Sequence, residues 1–408
     1  MKIFGFELKR ATPYKDATKG FMSTFFNNAV GRTPVTEETV MGISAYYAGV
    51  RRISESIAQL PLEVIRTDGD FKQQIEHPSK YLLNKEANYK TISFDFTQIL
   101  VTSAINWGNG LAIIERDAQA RPISLTNIPT KSCTPFDYDG ELFWKVDLGP
   151  KQKGLMVSDR DIINLRGFGV DDVLGLSAIE YHKQNLGLTI AAQDYGSDFY
   201  NKGTRLDGYI EYQGKLDVEV KNSIKQQWDN NYGANGVGGT AILDNGTKYT
   251  RLGLPPEDAQ FIETRKFQKN EIATILGIPP HFINELEHAT FSNIEHQNIE
   301  YVTYGLGGWI EKLEQEYGRK LLRESEKNNH YFRHNVNKFL RADIKTRAEF
   351  YRLMTDIGVY SINEVRALEE LNPVEDGDLR FVQLNRIELS IAKEYYEKDN
   401  EESGDTRD

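Results

Sequence analysis

SAIEYHKQNLGLTIAAQDYGSDFYNKG at residues 177–203 and PPEDAQFIETRKFQKNEIATILGIPP at residues 255–280 are the stretches whose reading decides the architecture. In the first, Ser177 and Glu180 stand at capping-box spacing, able to satisfy orphan N–H groups at a helix start. Leu188, Ala191, Ala192, Tyr195 and Phe199 then keep helical spacing until Gly203 offers a stop. In the second, Pro255 and Pro256 suit a first helical turn, Glu257 and Asp258 suit its positive end, and the helix runs to Gly277. Residues 204–254 between them change character. They hold apparent strands at 208–212 and 240–243, a short helix near 218–228, and the glycine cluster GANGVGG at 233–239. Two long helices therefore bracket a small α/β insert, which must lie at their far end.

Upstream, residues 1–35 mix lysines and arginines with glycine and asparagine without sustained period and read as a flexible basic arm. From Thr36, Val40, Ile43, Tyr47, Val50, Ile53, Ile57 and Leu60 recur at steps of three and four, which predicts one amphipathic helix ended by Pro61. Residues 62–67 alternate like a strand, and Asp68-Gly69 is a turn signal. A helix is expected around 93–106 with Phe96, Ile99, Leu100 and Ile105 inside, followed by strands at 111–116, 123–128, 143–148 and 161–165. Downstream, Ser292 and Glu295 form a second capping box before a long helix carrying Tyr301, Trp309, Leu313, Tyr317 and Leu321. Gly305, Gly307 and Gly308 interrupt it at roughly 1 kcal/mol each relative to alanine, so a kink or break is expected there. A helix at 343–356, a turn at Gly358 and a helix from a third capping box, Ser361 and Glu364, to Asn372-Pro373 complete the pattern. The fold class is α+β, and the polar end, 386–408, reads as disordered.

Composition narrows the function. The 408 residues, 39% hydrophobic, carry 49 Lys and Arg against 60 Asp and Glu, a net charge of −11, so no chain-wide basic excess exists to clamp phosphates. One cysteine, Cys133, excludes an intramolecular disulfide and any multi-cysteine zinc site, and suits manufacture in a reducing cytoplasm. The start, MKIFGFELKR, has too short an apolar run for a secretory leader, and no stretch approaches the roughly 18 apolar residues of a membrane span.

His281, His288 and His296, with Glu285, Glu287 and Glu295, invite a metal-dependent enzyme as one alternative. Their spacings of seven and eight do not place two ligands one helical turn apart, as an HExxH pair does, so a polar loop and helix start is the better reading. The glycine cluster lacks the lysine that would hold β- and γ-phosphates; Gly239 is followed by Thr240, Ala241 and Ile242, which argues against a nucleotide-driven motor. No G-x-S-x-G elbow supports a hydrolase. The basic residues Arg319, Lys320, Arg323, Lys338, Arg341, Lys345 and Arg347 alternate with acids and read as a solvated face in preference to a DNA-facing patch. The expectation is therefore a chain with no catalytic residues, no metal and no cofactor.

Five strings resemble, in order, the portal family of HK97-like tailed phages: HPSKYLLNKEANYKT at 77–91, WGNGLAIIERDAQARPISL at 107–125, GLSAIEYHKQNLGL at 175–188, QFIETRKFQKNEIATILGIPPHFI at 260–283, and LRADIKTRAEFYRLMTDIGVYSINEVRALEELNP at 340–373. One departure is Gly110-Leu111, where the family usually has Ala-Tyr. The resemblance implies a portal fold with an α+β wing, two-helix stem, small α/β clip and helical crown. Its divisions fall at 1–35 for the arm, 36–174 for the first part of the wing, 175–203 and 255–278 for the stem helices, and 204–254 for the clip. A tunnel loop at 279–293, further wing at 294–341, crown at 342–385 and tail at 386–408 follow.

It further implies a ring of identical subunits, twelve in assembled particles, at one capsid vertex of a virion, passing double-stranded DNA without sequence preference. Partners would be the terminase large subunit, the major capsid or scaffolding protein and a head–tail adaptor, with no membrane. His281, Asn284, Glu285, Glu287, His288, Thr290 and Asn293 are expected to face DNA. Trp228, Tyr232, Asn235 and Lys248 are expected in the docking face for terminase and adaptor. Another ring-forming head–tail connector is the remaining structural alternative.

Overall fold

A computed structural model of the chain divides into two units, Met1–Asn335 and Val336–Asp408. It describes residues 33–149, 154–169, 171–202, 208–212, 217–219, 222–223, 226, 247–251, 257–283, 299–336, 344–369 and 371–381, with short paired segments at 2–3, 6–7 and 12–13.

The first unit opens with strands β1 (Lys2–Ile3), β2 (Phe6–Glu7) and β3 (Thr12–Pro13). Two helices follow, α1 (Glu37–Met41) and α2 (Ser44–Ala58), where the periodicity predicts one. Thr36 closes α1 with a reciprocal box: its Oγ1 accepts the Thr39 N–H at 3.3 Å, and its N–H donates to Thr39 Oγ1 at 2.8 Å. The break at Gly42 resets the buried face of α2. Tyr46 is wholly buried and donates to Asn106 Oδ1 at 3.0 Å, whereas Tyr47, expected inside, is 47% exposed.

β4 (Leu62–Asp68) turns at Gly69, φ +59°, into β5 (Phe71–Ile75), and β16 (His330–His334) pairs along its other edge. Next come α3 (Pro78–Asn84), the small hairpin β6 (Glu86–Asn88) and β7 (Thr91–Ile92), and α4 (Ser93–Trp107). Phe96, Leu100, Val101 and Ala104 of α4 are buried, and α4 packs on α2. Ile99, predicted to lie inside, is 47% exposed.

An antiparallel run of strands follows: β8 (Asn109–Arg116), β9 (Pro122–Ile128), β10 (Cys133–Tyr138), β11 (Glu141–Val146), β12 (Leu155–Ser158) and β13 (Ile162–Arg166). They form two sheets, ordered β13-β8-β9 and β12-β11-β10-β3. Leu111, Ile128, Trp144, Val146, Val157, Ile162 and Val173 fill the core shared by these sheets. Sequence reasoning missed β10, because Pro135 argues against a strand; it sits opposite Trp144, and Asp139 and Gly140 at φ +57° and +82° make the tight turn.

The long helix expected from residue 177 arrives as α5 (Ala178–Tyr181) and α6 (Lys183–Lys202), divided at His182. Ser177 Oγ accepts the Glu180 N–H at 3.1 Å and donates to the Asn106 carbonyl at 2.5 Å. β14 (Gly208–Tyr212) pairs antiparallel with β15 (Thr247–Arg251); the strand expected at 240–243 lies outside the described residues. The second long helix is α7 (Glu257–Leu276), closed by Gly277 at φ +65°.

Residues 301–321 do not break at their glycines. Tyr301–Leu306 form a π turn that runs directly into α8 (Gly307–Leu321), so the wider turn takes up the irregularity. Tyr301, Leu313, Tyr317 and Leu321 are buried as their spacing predicts. Lys320 and Glu316, on the same helix, are buried too, so Lys320 departs from the solvated face expected of the basic segment, whereas Arg323 is exposed. Lys320 Nζ donates to Asp159 Oδ2 at 2.5 Å, and Asp159 Oδ1 accepts Trp144 Nε1–H at 3.0 Å. Glu316 Oε1 accepts the Asn164 N–H at 2.8 Å, and Arg116 donates to the Lys320 carbonyl at 2.7 Å and to Asp161 at 2.8 Å. Burial holds the Lys320 ammonium below the usual lysine range.

The second unit holds α9 (Ile344–Asp356) and α10 (Ile362–Leu368). Both halves of the predicted Ser361 box form, with Ser361 N–H to Glu364 Oε2 at 2.7 Å and Glu364 N–H to Ser361 Oγ at 3.1 Å. Gly358, at φ +73°, makes the turn before it.

Three glycines let the backbone of the first unit cross itself. A Cβ on Gly108 would lie 2.2 Å from the Gly175 oxygen, and one on Gly175 would lie 2.1 Å from the Gly108 oxygen. The Gly167 N–H donates to the Gly108 carbonyl at 2.8 Å. Gly175→Ala is therefore expected to destabilise the unit by about 3 kcal/mol, the upper range for overpacking. Gly69→Ala, which meets nothing within 4 Å, should show only the left-handed backbone penalty of about 1 kcal/mol. Equal losses for the two variants in denaturant unfolding would contradict the crossing.

Candidate functional site

The second long helix, α7, meets the rest of the first unit at α2. A Cβ on Gly49 would fall 2.4 Å from Leu276 Cδ1 and 2.9 Å from Ile278 Cδ1, so the end of α7 lies directly on α2. Between the long helices, Asn185 Nδ2 donates to Glu271 Oε2 at 2.8 Å and Gln268 Nε2 to the Leu188 carbonyl at 3.4 Å. Leu186, Ile190, Ile272 and Ala273 are buried near that contact, whereas Leu188, Tyr195 and Phe267 remain exposed. Such half-covered helices suit lateral contact with another surface.

The expected loop begins beside this junction. Pro280–Ile283 form a 3-10 turn, and the Phe282 ring lies 4.5 Å from that of Tyr301, centroid to centroid, and 4.3 Å from that of His281. Arg52 of α2 stands over Phe282 at 5.5 Å, and Tyr301 Oη lies 3.3 Å from Ser56 Oγ. A Cβ on Gly305 would lie 2.8 Å from the Tyr301 ring and 3.1 Å from the Gly277 carbonyl oxygen. Residues 283 and 301 are thereby brought together on one face of α2. Burial pushes the Tyr301 hydroxyl up to about 12.

Of the residues expected to face DNA, His281 lies in this aromatic stack, half-buried; Asn284, Glu285, Glu287, His288, Thr290 and Asn293 lie outside the described residues. So do His296 and the capping box at 292–295. Of the expected docking residues, Lys248 is in β15 opposite Glu211, and Trp228, Tyr232 and Asn235 fall outside, as does the glycine cluster. Among the described residues no group of three or more His, Cys, Asp or Glu could hold a metal, and no helix is long and apolar enough to cross a membrane.

Within the basic segment, Arg319 pairs with Glu316 at 3.0 Å and Arg347 with Glu369 at 3.2 Å, so both cations are engaged by carboxylates. Sequence reasoning missed Arg52, Ser56, Phe282 and Tyr301 as a group. The available signal was Ser56, a polar residue beside the apolar stripe of Ile53, Ile57 and Leu60.

Comparisons with known proteins agree over most of the chain. The family model described as phage portal protein matches residues 44–370. A probable portal protein of Streptomyces phage phiC31 is 31% identical over 362 residues, 86% of this chain and 79% of the relative. The portal protein of Enterobacteria phage HK97 is 27% identical over 388 residues, 93% of this chain and 90% of the relative. Among solved structures, a chain from the neck of an empty gene transfer agent particle gives a TM-score of 0.61 at 20% identity, covering 90% of this chain and 97% of that one. The crystal structure of an HK97-family phage portal protein from Corynebacterium diphtheriae gives 0.53 at 14% identity, covering 76% and 99%. These structural likenesses bear on the fold.

The raised Tyr301 value sets an alkaline signature. The unfolded chain releases this proton first, near pH 10, so stability falls as pH rises from about 10 to about 12, by about 1.4 kcal/mol per unit. Tyr301→Phe should lose part of that fall when denaturant unfolding at pH 8 and 11.5 is compared. An unchanged difference would show that Tyr301 ionises as freely folded as unfolded.

Proposed function

Because the chain belongs to the phage portal protein family, we propose that it is a subunit of a closed ring at one capsid vertex, the channel through which double-stranded DNA is packaged and ejected. The observation that carries this is the family match spanning residues 44–370, a range that takes in both long helices and the insert between them. The two helices with exposed Leu188, Tyr195 and Phe267 would be the stem, each subunit covering its neighbour's apolar surface head to tail. The 204–254 insert would be the clip, docking the terminase large subunit and then a head–tail adaptor. Its Lys and Arg equal its Asp and Glu at six each, so docking would not depend mainly on net charge.

The remaining divisions follow: wing at 36–174 and 294–341, tunnel loop at 279–293, crown at 342–385. The ring would be dodecameric in the virion and contact the major capsid or scaffolding protein. Its role is structural assembly, with no catalytic chemistry of its own. A net charge of −11 suits passage of DNA, because tight phosphate contacts would bring counterion-release affinity and friction. The family match separates this reading from that of an unrelated ring-forming connector.

Purified protein viewed by electron microscopy should show rings with a central hole; a monomer at every concentration and salt would overturn the proposal. Deleting residues 233–239 should spare the rings and weaken terminase pull-down. Replacing Glu285 and Glu287 by lysine should leave rings intact, steepen the salt dependence of DNA binding and slow packaging or ejection. Wild-type packaged length and ejection rate in that variant would show that the loop does not face DNA.

A further inference from the structure

His77 is the residue before α3, and its side chain is 10% exposed. Nδ1 accepts the Ser79 N–H at 3.2 Å, and Nε2 lies 3.5 Å from Glu326 Oε2. A ring nitrogen that accepts a hydrogen bond carries no hydrogen, so the neutral ring has its N–H on Nε2, directed at Glu326. The ring packs edge-on against Phe332 of β16 at 6.3 Å. His330 of β16 and Arg323, in the turn after α8, are the other charged or titratable groups that bear on it. On the near side, Glu76 and Lys80 pair with each other at 2.5 Å.

We propose that His77 is an acid-operated cap: neutral, it closes the N-terminus of α3, and protonation at Nδ1 removes that closure and opens the helix's first turn. The lone pair that accepts from Ser79 is the lone pair that must take the proton, so the two states exclude each other. An imidazolium there would also face the positive end of the helix, with Arg323 and His330 adding repulsion and Glu326 alone opposing them. Desolvation, the largest influence on the ring, keeps it neutral to lower pH than an exposed histidine.

The device reaches beyond one turn because α3 is fastened at both ends. At the far end Asn84 accepts the Leu62 N–H at 2.8 Å and donates to the Leu62 carbonyl at 2.9 Å, holding α3 to the start of β4. Tyr81 and Asn84 also wall an open groove completed by Ile92 and Phe94. Loosening the His77 end frees one wall of that groove while the Asn84 end stays pinned, so mild acid would reshape this surface without unfolding the unit.

Hydrogen exchange of residues 78–84 in the full chain, between pH 7.5 and 5.0 and corrected for intrinsic rates, tests the proposal. Between the ordinary value of 6.5 and the lowered folded value, the unfolded turn binds the proton and the capped one does not, so stability falls as pH falls. The opening constant should rise about tenfold per pH unit across that window. His77→Asn, which caps without titrating, should show pH-independent protection close to the wild-type neutral level. His77→Ala should be weakly protected throughout. Unchanged wild-type protection would overturn the proposal, as would a wild-type pH profile in His77→Asn, which would assign the effect to Glu326 or His330. Should the variants fail to fold, ring-labelled histidine in the wild type reads the group directly, and a midpoint at or above 6.5 would also overturn it.

Discussion

The carbonyl of Gly108 and that of Gly175 occupy space where any side chain on the other residue would have to be, and Asn109 fastens this crossing. Its Oδ1 accepts the Gly175 N–H at 3.0 Å, while its Nδ2 donates to Asn164 Oδ1 at 2.7 Å and to the Val173 carbonyl at 3.0 Å. Its own carbonyl accepts Thr130 Oγ1–H at 2.6 Å. One buried amide thus ties together β8, β13, the turn after β9 and the segment that launches α5. The direction in which the first long helix leaves the sheets is set here, and what that helix carries is positioned in turn. Gly110 adds a second close approach, since a Cβ there would lie 2.0 Å from the Leu100 carbonyl oxygen. A glycine at this position therefore allows a tight seat between α4 and β8.

Charge inside the first unit follows a related logic. Lys320, Asp159, Glu316 and Arg319 form a chain of ion pairs, and Trp144 and the Asn164 N–H take up the remaining carboxylate oxygens. A buried pair of this kind adds little net stability compared with an apolar pair of the same shape, but removing one partner strands the other. Its effect is on specificity: α8 can lie on these sheets in the one register that matches each charge to its counterpart.

Much of this was legible in the sequence because it is local. Helical spacing located α4 and α6, the Pro255-Pro256 start and Gly277 stop located α7, and the Ser361 box formed atom for atom. Where reading failed, the deciding partner lay far away in the chain. Tyr46 replaces Tyr47 inside because Asn106, sixty residues on, takes its hydroxyl, and β10 tolerates Pro135 because β11 supplies the hairpin. Lys320 looked solvated because nothing nearby in sequence announces Asp159. For the site itself, sequence placed the loop boundary at Pro279-Pro280 but not the aromatic seat of Phe282 and Tyr301, which depends on Arg52 and Ser56 of a helix more than two hundred residues earlier.

That seat has an evolutionary consequence. Since the Phe282 and Tyr301 rings lie 4.5 Å apart, centroid to centroid, the chain between them has its two ends at nearly one place. The entropic cost of joining two fixed ends grows by only about 0.6 kcal/mol for each doubling of the chain length between them. Insertions and deletions between the two rings should therefore be nearly neutral for folding. Relatives are free to differ in the length of this segment while sharing the ground it stands on.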